Sequence, residues 1–244
     1  MDIKIFNKEN HIDKLTGIRY NSIGINGRNV SHFYPSEFST NPKSDKLIVN
    51  VMESRATANK YDTAFRIKHN CDFYLCDMDN AESRFIDTAE YYCGTACPNG
   101  FYYYTVKDKA YKINLETFEK QFICENPEGI DFYGVPSISR DGELMAVYWK
   151  DSDGKPRSGG LINTVTGEFK TVVTRKWVKE ALPEPNDWID HPLINPYDKD
   201  ICFFCRNGDA RIINDRLWTV NLKTGEYLNV YKQKKTPIDR KSVV

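Results

Sequence analysis

The segment RLWTVNLKTGEYLNVY (216–231) contains two short runs of apolar and aromatic residues joined by a Lys-Thr-Gly-Glu turn. SGGLINTVTGEFKTVV (158–173) repeats the arrangement. Two such runs around a turn are typical of a β-hairpin. The same pattern, with less regular turns, recurs in KAYKINLETFEKQFI (109–123) and DFYLCDMDNAESRFI (72–86). The sequence therefore predicts four related hairpins.

A second predicted strand pair precedes each hairpin. These pairs are FYPSEFSTNPKSDKLIVNVM (33–52), GTACPNGFYYYTV (94–106), GVPSISRDGELMAVYW (134–149) and HPLINPYDKDICFFC (191–205). Equivalent turn residues are separated by 37, 49 and 58 positions: Asp77, Asn114, Asn163 and Asn221. This spacing brackets the ~40–50-residue blade of a propeller, whereas a β-sandwich would not repeat one two-hairpin unit. We expect an all-β propeller with four-stranded blades, forming an incomplete ring of about four to five blades.

The unequal spacing places insertions in the loops. Two are visible, at 52–70 and at 174–187. The second contains the chain's one predicted short helix, which Pro183 and Pro185 would end.

The composition of the chain limits which partners it is expected to bind and in which cellular compartment it is expected to lie. The 244-residue chain has 34 basic and 34 acidic residues, so no overall field favours nucleic acid or an anionic membrane. The first residues have neither the apolar core of a signal peptide nor that of an anchor. Seven cysteines cannot all pair, so we expect a reducing cytoplasm. Cysteines 71, 76, 93 and 97 leave two interpretations open, buried thiols or a loosely spaced zinc site.

The stretch 186–226 resembles the oligogalacturonate lyases. In that family the corresponding blade reads W-x-x-H-P, then F-C-H-E-G, then D-x-R-x-W. The matching residues are Trp188, His191, Pro192, Phe204, Cys205, Gly208, Asp215, Arg216 and Trp218. KLTG (14–17) and SHFYPSEFS (31–39) are similar to the family's opening segments, so the resemblance extends loosely over nearly the whole chain.

The resemblance implies a fold and an activity. Members of the family are seven-bladed cytoplasmic propellers that cleave short galacturonate chains by β-elimination, with a manganese ion in the central pocket. Four units fall short of seven blades, so we expect a C-terminal truncation, with the metal ligands in the missing blades and the fragment inactive. We expect one partial propeller domain over 1–238. The tail DRKSVV (239–244) is similar to a translated sequencing adapter, although a genuine polar tail remains the alternative.

The reaction that the resemblance implies removes the weakly acidic proton at C5 of a uronate. It needs a base of near-neutral pKa and positive charge to neutralise the carboxylate. His191 matches the position of the family's catalytic base, and a neutral imidazole suits that role. Its alternative is a structural histidine fixed by Asp190 or Pro192. Arg157 lies near the position of the family's charge-neutralising arginine, with an exposed loop arginine as the alternative.

Two further residues are candidates for substrate binding. FCRNGD (204–209) replaces the family's His-Glu pair with Arg206 and Asn207, which puts the substrate in doubt. Arg206 could bind a uronate carboxylate through two hydrogen bonds, or be a solvated loop charge. His32 falls where the family has a histidine pair near the pocket.

Two other functions compete with the lyase. One is a non-catalytic propeller similar to the TolB and WD40-like proteins, which would bind a protein or another ligand. The other is a glycosidase, which would need two facing carboxylates. No such pair stands out in the sequence. We expect an acidic oligosaccharide as the partner, and neither nucleic acid nor a membrane.

Overall fold

The computed structural model describes residues 3–25, 28–31, 39–53, 70–90, 94–150, 156–181, 188–195, 197–207 and 216–230. These residues form four successive antiparallel sheets, a separate hairpin and one short helix. Each of these sheets contains four strands in sequence order, and the first sheet has a fifth strand from the N-terminal segment. The prediction of an all-β propeller with four-stranded blades is confirmed. No described helix combines the length and apolar character needed to cross a membrane.

Three strands precede the first blade. They are β1 (Ile3–Ile5), β2 (Asn7–Ile12) and β3 (Arg19–Gly24). β1 pairs with the outer strand of the first blade, and β2 pairs with β3 alone. The buried Phe6, which lies between β1 and β2, packs with Val49 and Tyr74 of the first blade.

Each blade runs from a first, inner strand to a fourth, outer strand. The first blade contains β4 (Arg28–Ser31), β5 (Lys46–Glu53), β6 (Asn70–Asp77) and β7 (Glu82–Glu90). The second contains β8 (Gly94–Ala96), β9 (Phe101–Val106), β10 (Lys109–Asn114) and β11 (Lys120–Glu125). The predicted pair at 33–52 began too late, because β4 already ends at Ser31.

The other two blades follow the same order. The third contains β12 (Ser137–Ile138), β13 (Leu144–Lys150), β14 (Pro156–Asn163) and β15 (Phe169–Val173). The fourth contains β16 (Trp188–Ile194), β17 (Ile201–Asn207), β18 (Leu217–Asn221) and β19 (Tyr227–Asn229). The helix α1 (Arg175–Ala181) lies in the predicted 174–187 insertion. Pro183 and Pro185 lie outside the described residues, as does most of the 52–70 insertion.

The outer turns explain why the repeat was visible in the sequence. In every blade the side-chain oxygen of the first turn residue accepts the backbone N–H groups two and three positions later. Those first residues are Asp77, Asn114, Asn163 and Asn221. The residue four positions on always has a positive φ, between 60° and 76°, and these residues are Ala81, Phe118, Gly167 and Gly225. Asp and Asn favour such turns because their short side chains hydrogen-bond to the nearby backbone.

Gly225 allows a clean measurement of the strain in this turn. Its φ is +73°, and an added Cβ would meet nothing within 4 Å. Gly225→Ala is therefore expected to lower the free energy of unfolding by about 1–2 kcal/mol through backbone strain alone. Gly24→Ala is the matched control, because Gly24 has equal space but no positive φ. Equal melting temperatures for the two variants would contradict the assigned turn.

Neighbouring blades pack face to face through aromatic and aliphatic side chains. Phe73 packs with Tyr102 and Tyr104 between the first two blades. Tyr103 points the other way, toward Trp149 of the third blade. This alternation is the normal consequence of strand geometry. The Tyr-rich run 101–106 is therefore a packing element, because the side chains of Tyr102, Tyr103 and Tyr104 are all buried.

The same alternation separates the two cysteines of β6. Cys71 packs between the first and second blades, and Cys76 packs on the opposite face of the first blade. Burial raises the pKa of the Cys71 thiol to about 12. The two thiols thus behave as buried apolar groups and do not face a common zinc site, while Cys93 lies outside the described residues.

Asn50 is a polar residue in the otherwise apolar layer between the first two blades. Its side chain is 0% exposed, and its amide has no hydrogen-bond partner among the described residues. Because an unsatisfied buried amide costs about 1–3 kcal/mol, Asn50→Leu is expected to raise the free energy of unfolding by that order.

Asn41→Leu is the matched control for this substitution. The Asn41 side chain hydrogen-bonds to Asp45 and to the backbone N–H of Lys46, so its loss should destabilise the fold. Urea unfolding of both variants measures the difference. A destabilised Asn50→Leu protein would mean that the Asn50 amide has a polar partner.

Candidate active site

Two of the four candidate residues, Arg157 and Arg206, lie at the same end of their blades. In each antiparallel blade the first strand begins, the second ends and the third begins at one face, which we call the loop face. His191 is the central residue of the first strand β16, whereas Arg206 is near the end of the second strand β17. Arg157 is the second residue of the third strand β14. Strand polarity thus brings residues that are far apart in the sequence to one face.

His191 lies in a β-bulge on the first strand of the fourth blade. Asp190 is opposite Cys205 and Leu193 is opposite Phe203, so His191 and Pro192 together face only Phe204. Proline cannot donate a ladder hydrogen bond, so it is tolerated at such a position. His191 has φ +54°, which is uncommon for a residue other than glycine. A bulge redirects a side chain, and bulges are frequent beside active sites.

Asp190 holds His191 from two sides. Its Oδ1 accepts the backbone N–H of His191 at 2.8 Å, and its Oδ2 lies 3.4 Å from His191 Nε2. Oδ1 also accepts the Tyr148 hydroxyl at 2.8 Å, from the third blade. The His191 side chain remains 24% exposed. The histidine is therefore fixed by Asp190 and still accessible, so the structural and the catalytic interpretations are compatible.

Arg206 lies inside a strand and is almost fully buried. It is 6% exposed and pairs across the ladder with Ile189, two residues before His191. Strand alternation puts its side chain on the same face as Phe204 and Cys202, toward the third blade. The interpretation of Arg206 as a solvated loop charge was therefore wrong. A buried guanidinium is held in place by its surroundings, because an unpaired buried charge is too costly.

The two remaining candidates are only partly covered. Arg157 belongs to β14, not to a loop, and it is the extra residue of a bulge, because Pro156 pairs with Lys150 and Ser158 with Trp149. Only its backbone is described. His32 lies outside the described residues, directly after the end of β4 at Ser31.

The described residues do not fit a manganese site on their own. Among them, no three His, Cys, Asp or Glu side chains converge as metal ligands would. Asp190 and His191 form a carboxylate-imidazole pair, to which the described residues add no third His, Cys, Asp or Glu ligand.

Sequence reasoning did not identify Tyr148 as part of the site. Tyr148 is 42 positions before Asp190 and belongs to another blade, so no local pattern links them. Asp190 belongs to the Asp-His-Pro triplet at 190–192. The sequence suggested it only as a structural partner of the histidine.

Two curated relatives match the chain in sequence. The oligogalacturonide lyase of Pectobacterium atrosepticum and the oligogalacturonate lyase of Dickeya dadantii are each 22% identical over 172 residues. Each match covers 62% of this chain and 42% of the relative. No family model matches the chain.

Solved structures match over more of the chain. An oligogalacturonate lyase in complex with manganese has a TM-score of 0.71 at 16% identity, covering 95% of this chain and 61% of that one. The oligogalacturonate lyase of Vibrio parahaemolyticus has a TM-score of 0.70 at 16% identity, with the same coverage. TolB of Acinetobacter baumannii reaches 0.51 at 12% identity, covering 92% of this chain and 48% of that one. The chain thus spans less than two thirds of the length of each of these lyases, and it is similar to them in sequence and in fold.

Proposed function

We propose that this chain, which is similar to the oligogalacturonate lyases in sequence and fold, forms the first blades of an enzyme that cleaves short uronate oligosaccharides by β-elimination. The observation that carries the proposal is the environment of His191. The histidine is oriented by Asp190, partly exposed, and placed in a bulge of the first strand of the fourth blade. We further propose that residues 1–238 form a single partial propeller domain and that residues 239–244 are a non-native tail.

In the proposed reaction His191 acts as the base and Asp190 stabilises its charged form. Neutral His191 accepts the proton from C5 of the uronate, the C4–O bond breaks, and a C4–C5 double bond forms. The departing sugar oxygen takes up a proton from water, and the imidazolium returns its proton to solvent, so His191 is neutral again. Asp190 stabilises the imidazolium that is formed, because its carboxylate lies 3.4 Å from Nε2.

Arginine and histidine side chains would bind the acidic substrate. The charge that develops on the uronate carboxylate needs fixed positive groups in a site with little water. Arg206 and Arg157 supply that charge from neighbouring blades, and His32 of the first blade contacts the sugar. A guanidinium suits a carboxylate because it can donate two parallel hydrogen bonds.

Manganese enters the proposal through a relative. One structural neighbour is an oligogalacturonate lyase in complex with manganese. We propose the same requirement here, with ligands from outside the described residues. The 244-residue chain is then expected to be inactive alone. A cytoplasmic role in the breakdown of pectin-derived oligosaccharides follows from the same similarity.

The alternative is a non-catalytic propeller of the TolB type that binds a protein or another ligand. Its support is likeness of fold, since the TolB structure matches at 0.51. The departure at Arg206 and Asn207 from the family's His-Glu pair also favours it.

Turnover of disaccharides separates the two functions. The protein encoded by the full reading frame would be incubated with digalacturonate or with a neutral disaccharide, with and without Mn²⁺. Release of the keto-uronate, into which the unsaturated monosaccharide product rearranges, is expected only with the uronate, because a neutral sugar has no carboxylate to acidify the C5 proton. No turnover of any uronate oligomer would favour the binding module.

A further inference from the structure

Tyr148 connects the third blade to the candidate site in the fourth. It is 3% exposed and lies in the apolar cluster between these blades, beside Ile189 and Phe204. Its hydroxyl donates to Asp190 Oδ1 at 2.8 Å. This hydrogen bond joins two strands of different sheets, β13 and β16.

The Tyr148 ring has little freedom to move. A Cβ added at Gly134 would lie 2.1 Å from the Tyr148 hydroxyl, so the backbone of Gly134 closes directly over that oxygen. Tyr133 packs edge-on against the ring, with 5.6 Å between centroids. The Tyr133 N–H also donates to the Tyr148 carbonyl at 2.8 Å. The hydroxyl is therefore a fixed donor.

This fixed donor sets the rotation of the Asp190 carboxylate. Among the described residues, Oδ1 accepts hydrogen bonds from the Tyr148 hydroxyl and from the His191 backbone N–H, each 2.8 Å long. Rotating the carboxylate would break both. Oδ2 is thereby kept on the side of His191 Nε2, at 3.4 Å.

We propose that Tyr148 is a positioning residue, which acts through Asp190 to orient His191. The geometry of the candidate site therefore depends on how the third blade packs against the fourth. The inference deepens the proposed function and rests on it, because it assumes that His191 is the base. Tyr148 itself does not touch the reacting atoms in this assignment.

The pKa of His191, measured by NMR on the 244-residue chain, tests the inference without any turnover. Among the described residues, Asp190 contacts the histidine, Tyr148 contacts Asp190, and Arg206 lies on the neighbouring strand β17 opposite Ile189. Since the chain has four histidines, the spectrum of His191→Gln assigns the signal. Asp190→Asn removes the negative charge and should lower the His191 pKa by about 1 unit or more.

The decisive comparison is a double-mutant cycle with Tyr148→Phe. In the wild-type background Tyr148→Phe should lower the His191 pKa, because the released carboxylate rotates away from Nε2. In the Asp190→Asn background the same substitution should cause no further shift. An unchanged or raised pKa in the single variant, or equal shifts in both backgrounds, would overturn the inference.

Tyr103→Phe controls for general loss of packing. Tyr103 is also a buried tyrosine, and its hydroxyl accepts a hydrogen bond from Asn99 at 2.8 Å, in the layer between the second and third blades. This variant should leave the His191 pKa unchanged. Turnover by the full-frame protein is a separate readout. If the cycle holds and no uronate is cleaved, the positioning role stands and the proposed function fails.

Discussion

Replacement of His191 by glutamine is expected to lower the rate of uronate cleavage by roughly 10²–10⁴-fold, the usual contribution of a general base. Glutamine keeps hydrogen-bonding groups near the position of the imidazole and cannot accept the C5 proton. The measurement is kcat/KM on digalacturonate for the full-frame protein, accompanied by thermal unfolding.

His11→Gln is the matched control for this variant. His11 lies on the N-terminal hairpin, where its Nε2 is 2.7 Å from the Ser22 hydroxyl, far from the fourth blade in sequence. Its replacement should leave turnover unchanged. A His191→Gln enzyme that folds normally and retains full activity would remove His191 from the mechanism.

Replacement of Arg206 by methionine is expected to lower kcat/KM for uronates by about 10–100-fold. A hydrogen bond to a charged group contributes about 1.5–3 kcal/mol, and each 1.4 kcal/mol corresponds to a factor of ten. Methionine retains much of the volume of the buried side chain, so packing against the third blade is largely preserved.

Arg206→Lys separates charge from geometry. Lysine keeps the positive charge and loses the planar pair of donors, so it should recover only part of the activity. Circular dichroism and thermal unfolding would show whether either variant is misfolded. Normal kcat/KM in a folded Arg206→Met protein would assign Arg206 a purely structural role.

The blades could be predicted from the sequence because the residues of their turns form a recognisable local pattern. The turn residues Asn163 and Asn221 and the following Thr-Gly-Glu segments form the hairpins that their pattern indicates. Local chemistry marks the turns less clearly where Ala81 and Phe118 replace glycine, yet their φ values are equally positive.

Only the site residues that belong to a local sequence motif could be predicted. The family motif located His191, and Pro192 accounts for the bulge. The burial of Arg206 could not be read from FCRNGD, because it depends on how the third blade packs against β17. The Tyr148–Asp190 hydrogen bond depends on the same docking between blades. Contacts of this kind come from tertiary structure, and no periodicity in one chain segment encodes them.

The masses of the products formed from digalacturonate test the central claim most directly. β-Elimination adds no water, so the masses of the two products should together equal the mass of the substrate, and one product should be lighter than galacturonate by one water. The account predicts this result for the full-frame protein and its loss in His191→Gln. Two products whose summed mass exceeds that of the substrate by one water would identify a hydrolase and contradict the account.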